Sequence, residues 1–246
     1  MRRLPIKVHR VATEDEVEVL ARLGADFVGF DSDESVFYGF DTDPRWKDER
    51  AVFEGLLPAL LEPLGSGGHA ARAVVELAPE QREPDAPARL AQLGVSLIQV
   101  HELRAPRDDA FVTAVAAAGA GLIVEGGFVE PTRPLDFVDL GVPGQPALAF
   151  YEADLFPTSV DPYAALVDPV EGSLGIDEID EIAGRAPLFL HVGATPDTIE
   201  DIARRLASTR VAGLAFRLGD ARLATAYAYG FEEVVAMLEV LRRIEP

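Results

Sequence analysis

The sequence predicts a single α/β domain of the (β/α)8 barrel class, and three observations predict it. Short apolar runs alternate with helix signals along the whole 246-residue chain. The runs end on a polar residue: Ile6-Lys7-Val8-His9, Phe27-Val28-Gly29-Phe30-Asp31, Leu97-Ile98-Gln99-Val100-His101, Leu122-Ile123-Val124-Glu125, Ala165-Leu166-Val167-Asp168, Leu188-Phe189-Leu190-His191 and Leu214-Ala215-Phe216-Arg217. Strands apolar through their length are buried on both faces, as in a parallel barrel or sheet, and there the ligand site lies at the carboxyl ends. With 48% hydrophobic residues, the chain has enough apolar surface for one large core.

Taken in order, a strand over 4–9 leads to a helix opened by Thr13-Glu14-Asp15-Glu16. Thr followed three residues later by Glu is a capping-box pattern. Val17, Val19, Leu20 and Leu23 give that helix its apolar face, and Gly24 ends it. A strand over 26–31 runs into an acidic, aromatic loop from Asp31 to Arg45, which reads as a lid, a partner-binding loop or a solvated loop. A helix around 46–62 follows, then the Gly65-Ser66-Gly67-Gly68 connection, with His69 beside it as a surface residue. Strands are expected at 72–77, 96–101 and 121–125, separated by helices near 85–93 and 108–118. From 126 to 163 six prolines blur the alternation, so the sixth strand is either 147–152 or 164–168. The second is favoured, because Asp168 and a glycine loop follow it; segment 128–163 is then an insertion or an enlarged unit. Helix 176–183, strand 187–191, helix 196–207, strand 211–217 and helix 231–244 complete eight units in one domain, 1–246, without internal repeats.

Composition excludes several function classes. The 42 acidic against 22 basic residues give a formal charge of −20, which repels nucleic acid and anionic membrane surfaces. Without cysteine there is no disulfide, thiolate nucleophile or zinc–thiolate site. No run approaches 18 apolar residues and no apolar signal core follows Met1-Arg2-Arg3, so a soluble cytoplasmic protein is expected. Its partner is expected to be a small-molecule substrate, and the chain a monomer or homodimer.

The residues also carry a resemblance. Lys7-Val8-His9-Arg10 with Gly24-Ala25-Asp26-Phe27-Val28-Gly29-Phe30 is similar to the opening of phosphoribosylanthranilate isomerase, a TIM-barrel family. Ile98-Gln99-Val100-His101-Glu102 resembles its fourth-strand signature. Leu166-Val167-Asp168 with Glu171-Gly172-Ser173-Leu174-Gly175 resembles its sixth, and Leu190-His191-Val192-Gly193-Ala194-Thr195-Pro196 its seventh. The resemblance implies an acid–base isomerisation of the Amadori type, an aldose–ketose rearrangement, with the general acid at Asp168. The family's general base is a cysteine on strand one, and His9 stands there. The carboxylate-binding arginine after strand two is replaced by Ser35-Val36-Phe37. Of the glycines whose amides hold phosphate, Gly193 and Gly219 remain, and Asp220 follows the second. A diverged member is implied, acting on a small substrate other than phosphoribosylanthranilate, with sugar-phosphate derivatives among the candidates.

Chemistry supports His9 as a base, since an imidazole has an ordinary pKa near 6.5, about the working pH. Strand pleating puts Lys7 and His9 on one face, where Lys7 would keep His9 neutral. Lys7, Asp31, His101, Glu125, His191 and Arg217 are the expected substrate-binding rim. No cofactor is expected on this reading. A second reading makes His9, His101 and His191, with Asp168 or Glu125, ligands of a divalent metal. A third is a barrel without catalysis that serves as a binding or regulatory protein, favoured by the eroded glycine loops.

Overall fold

The computed structural model describes residues 2–32, 50–52, 54–66, 70–100, 109–129, 148–155, 175–219 and 228–244. Eight parallel strands form a closed barrel: β1 (Ile6–His9), β2 (Phe27–Asp31), β3 (Arg72–Glu76), β4 (Leu97–Val100), β5 (Gly121–Val129), β6 (Leu148–Leu155), β7 (Leu188–His191) and β8 (Gly213–Leu218). Each pairs with the next, and β8 returns to β1 in the register Lys7↔Ala215 and His9↔Arg217. A two-residue strand, β9 (Ala228–Tyr229), extends the sheet beside β8. Seven helices are described: α1 (Glu14–Leu23), α2 (Leu57–Ser66), α3 (Ala86–Gln92), α4 (Asp109–Ala117), α5 (Ile176–Ala183), α6 (Ile199–Leu206) and α7 (Phe231–Ile244).

Helix α1 starts and stops where its residues say. The Thr13 side chain accepts from the Glu16 amide, and Gly24 takes the left-handed cap at φ 93°. The Glu16 carboxylate reaches back to the Ala12 amide, one residue before the cap, and also holds Arg50. That contact explains one departure from expectation. Of the helix placed around 46–62, residues 46–49 and 53 lie outside the described residues, 50–52 are not helical, and α2 begins at Leu57 after a short 3-10 turn at Glu54–Leu56. Residues 50–52 instead strap the barrel mouth: Arg50 binds Glu16 and the Arg10 carbonyl, and the Val52 amide donates to Asp31.

The larger correction concerns the sixth strand. It is 148–155, paired to β5 on one side and β7 on the other, so the favoured segment 164–168 does not take that place. Segment 128–163 is therefore no insertion ahead of strand six, because it contains that strand. Its pairing with β5 carries two register shifts, one between Leu122 and Ile123 and one between Glu125 and Phe128. Residues 164–168, Asp168 included, lie outside the described residues.

The barrel interior is built in two levels. Phe27, Val74, Leu97, Ile123, Phe150 and Phe189 form an apolar floor, with Phe150 stacked on Phe189 at 4.0 Å between ring centroids. Residues two apart on a strand share a face. Five of the six floor residues therefore have a polar mouth residue above them: Val74 has Glu76, Leu97 has Gln99, Ile123 has Glu125, Phe150 has Glu152 and Phe189 has His191, while Phe27 has Gly29. Intervening residues such as Val8, Val28, Val75, Ile98, Val124 and Leu190 pack outward in the larger core under the helices.

Candidate functional site

Every strand of the barrel sends a polar side chain into one network at the carboxyl ends. Lys7 and His9 come from β1, Asp31 from β2, Glu76 from β3, Gln99 from β4, Glu125 from β5, Glu152 from β6, His191 from β7 and Arg217 from β8. Lys7, Gln99 and Glu152 are 0% exposed, and His9 and His191 1%. Charge at that depth persists only where partners offset desolvation, so the pairings decide the chemistry.

Gln99 is the hub. Its Oε1 accepts from Lys7 Nζ, and its Nε2 donates to Glu76 Oε2 at 2.8 Å and Glu125 Oε2 at 2.7 Å. The amide orientation follows from these partners, an ammonium on the oxygen and two carboxylates on the nitrogen. Lys7 also donates to Glu152 Oε2, and Arg217 to Glu125 Oε1. The other Glu152 oxygen lies 2.5 Å from His191 Nε2. Burial pushes the Glu152 carboxyl up, but Lys7 and His191 outweigh it and hold the group well below the ordinary 4.5. Glu152 is thus an anion, His191 Nε2 is the donor to it, and His191 Nδ1 is buried without a hydrogen bond among the described residues.

His9 sits on the opposite wall. Its pKa is lowered from 6.5, first by burial and then by Lys7, against the pull of Glu76. The direction of the shift favours a neutral imidazole at pH 7, with burial as the larger cause. Nδ1 backs onto Gly29, where a Cβ would come within 2.3 Å of it. Nε2 lies 2.6 Å from Glu76 Oε2, yet neither ring nitrogen makes an in-line hydrogen bond among the described residues. The chain turns sharply just after, with Arg10 at φ 64°, in the left-handed region that non-glycine residues rarely occupy.

Of the expected rim residues, Lys7, His9, Asp31, Glu125, His191 and Arg217 are brought together. His101, Asp168 and His69 lie outside the described residues. The histidine set of the metal reading is divided. His9 groups with Asp31 and Glu76, and His191 with Glu125 and Glu152, the ligand atoms of each group lying within 4.8 Å of one another. Three members of the network were not expected from the sequence. Glu76 ends the run Ala73-Val74-Val75-Glu76 as the other rim residues end theirs, and Gln99 is two residues beyond Leu97, so both were marked by period two. Glu152 keeps the same period two residues beyond Phe150, but it lies inside a strand that runs on to Leu155 and so closes no apolar run.

The expected phosphate glycines lie after β7 and β8, beside Tyr229. The Gly219 amide donates to the Tyr229 carbonyl at 3.0 Å. The Tyr229 hydroxyl accepts from the Ala194 amide at 2.9 Å and donates to the Val192 carbonyl at 2.5 Å. Two amides in the region where barrels commonly hold phosphate are therefore engaged by one tyrosine.

Comparison with known proteins bears on the fold. Phosphoribosyl anthranilate isomerase from Thermotoga maritima superposes with a TM-score of 0.62 at 13% identity, covering 98% of this chain and 100% of the isomerase chain. TrpF from Jonesia denitrificans gives 0.61 at 19% identity, with 98% of each chain covered. What is shared with these isomerases is the (β/α)8 barrel fold. A chain of tryptophan synthase from M. tuberculosis matches equally well, at 0.62 and 16% identity, covering 98% of this chain and 92% of its own. No family model matches the sequence, and no curated protein does. Since enzymes of two names fit the backbone alike, the activity has to be argued from the mouth residues. No helix among the described residues is long and apolar enough to cross a membrane.

Proposed function

We propose that this chain is a phosphoribosylanthranilate-isomerase-like enzyme catalysing an acid–base, aldose–ketose type isomerisation of a small polar substrate other than phosphoribosylanthranilate. The observation that carries the proposal is the Lys7–Glu152–His191 chain. An ionised carboxylate accepts a hydrogen bond from Nε2–H of the imidazole and so leaves Nδ1 as a lone-pair acceptor, the arrangement that makes histidine a general base. Such a rearrangement needs a base for the carbon-bound proton and an acid for the ring oxygen. His191 fits the first role better than His9, whose nitrogens face Gly29 and Glu76. Asp168, the acid implied by the resemblance, is the second group to test.

The test reads the proton transfer directly. The protein is incubated in D2O with a panel of aldoses, ketoses, their phosphates and phosphoribosylanthranilate, and deuterium uptake next to the carbonyl carbon is followed by NMR. We expect uptake with at least one sugar, and a loss of about 10²–10⁴-fold in His191→Gln and Asp168→Asn. Native rates in His191→Gln would overturn its role as base. No uptake with any compound would overturn the isomerase reading in favour of a binding barrel.

A further inference from the structure

We propose that Arg10 anchors a carboxylate group of the substrate, so that the mouth takes an unphosphorylated sugar acid. The inference rests on the isomerase reading and deepens it by naming the substrate class. Three observations carry it.

The first is where Arg10 points. Side chains alternate along β1, with Val8 outward in the core under the helices and His9 inward beside Glu76. Continued alternation would send Arg10 outward with Val8. Instead its Nη1 lies 3.5 Å from where a Cβ on Gly219 would stand. That side of Gly219 faces the barrel interior. A Cβ on Gly213 would meet the floor residue Phe189 at 2.3 Å, and residues at even spacing along β8 share that face. Arg217, between the two glycines, reaches inward to Glu125 from the same face. The Arg10 guanidinium therefore stands one level further out in the mouth, beside two small residues, Gly219 and Ala228.

The second is strain. Arg10 has φ 64°, a left-handed backbone that is costly for any residue with a Cβ. Hydrogen bonds on both sides enforce it: Arg50 Nε donates to the Arg10 carbonyl at 2.7 Å, and the Val11 amide to the Gly29 carbonyl at 2.9 Å. Strain held in place by its surroundings clusters at functional positions. Glycine would take this backbone without penalty, yet the chain places a long cation there.

The third is the kind of anion. Barrels commonly hold phosphate on the loops after strands seven and eight. Here Tyr229 engages the Ala194 and Gly219 amides, and the Thr195 amide donates to Thr198 Oγ1 at 2.9 Å. Arg10 offers instead a planar fork that pairs with a carboxylate through two parallel hydrogen bonds. Its five donors let it keep a contact within the chain and still hold a ligand. Only β8 separates β1 from β7, so two inter-strand spacings, about 10 Å, lie between the strands that carry Arg10 and His191. A sugar acid bridges that span with its carboxylate at Arg10 and its carbonyl end at His191.

The anchor is tested without turnover. D-Gluconate, which has the carboxylate but no carbonyl to isomerise, is titrated calorimetrically against the native protein, with D-glucose and inorganic phosphate as controls. We expect saturable gluconate binding, about tenfold or more tighter than either control, and a loss of about 10–100-fold in Arg10→Gly. Because glycine suits φ 64°, Arg10→Gly should keep the native circular dichroism spectrum, so lost binding is not lost fold. In the D2O exchange assay with D-glucuronate, Arg10→Gly should raise KM more than it lowers kcat. Gluconate binding that depends on Arg10, with no exchange in any sugar acid, would keep the anchor and overturn the isomerase reading alone. No gluconate binding, equal binding in Arg10→Gly, or phosphate bound more tightly than gluconate would each overturn the anchor.

Discussion

Gly29 and His9 form a steric pair across β1 and β2: a Cβ on Gly29 would lie 2.3 Å from His9 Nδ1 and 3.3 Å from its Cα. The glycine is what lets the imidazole lie flat against strand two with Nε2 towards Glu76. Gly29→Ala must displace the ring, and overpacking of this kind costs about 1–3 kcal/mol. Thermal melts should show that loss. Unchanged stability would mean that the ring has room elsewhere and that its placement is not set by Gly29.

Lys7 is the cation on which the His191 wall depends. Its ammonium bonds both Gln99 and Glu152 with no exposure to solvent. Removing one partner of a buried pair leaves the other uncompensated, which costs about 3–5 kcal/mol. Lys7→Met should be destabilised on that scale by denaturant titration, and Lys7→Met/Glu152→Met should recover much of it. A double variant no more stable than the single one would show that the remaining network depends on the pair as a whole.

The sequence made the barrel legible because seven of its strands end alike, in an apolar run closed by a polar side chain. Burial on both faces produced the runs, and convergence on one mouth produced their endings. Glu76 and Gln99 obey the same period and were within reach of it. The sixth strand was not, since it runs on past Glu152 to Leu155, so no polar residue closes an apolar run there. The partition of the two histidines between walls was likewise hidden, because it depends on which carboxylate each meets across the barrel, a matter of register that no local pattern records.

Tyr229 ties the loops after β7 and β8 together through the Ala194 amide, the Val192 carbonyl and the Gly219 amide. Its hydroxyl is buried, so Tyr229→Phe leaves the Ala194 amide and Val192 carbonyl unpaired, at a cost of about 1–3 kcal/mol. The expected outcome is a lowered Tm with the barrel retained by circular dichroism. Since these amides are already engaged, the native protein should show weak affinity for inorganic phosphate in calorimetry. Micromolar phosphate binding would contradict that.

Acid should unfold this protein in two stages, and the sign follows from two shifted groups. His9 is lowered below 6.5 in the fold. Between that ordinary value and its folded value the unfolded chain binds the proton and the folded chain does not, so stability falls as pH drops below 6.5. Glu152 is held well below 4.5, so its contribution is intact above 4.5 and is lost as pH falls through its folded value. Both groups therefore favour neutral over acidic pH, one from mildly acid conditions and the other only in strong acid. Denaturant titrations from pH 8 to 3.5 should show a decline beginning near 6.5 and steepening below 4.5. His9→Gln should flatten the upper part and leave the lower part. A native profile level between pH 7 and 5, or an upper decline that survives in His9→Gln, would show that His9 is not the buried neutral imidazole described for the mouth.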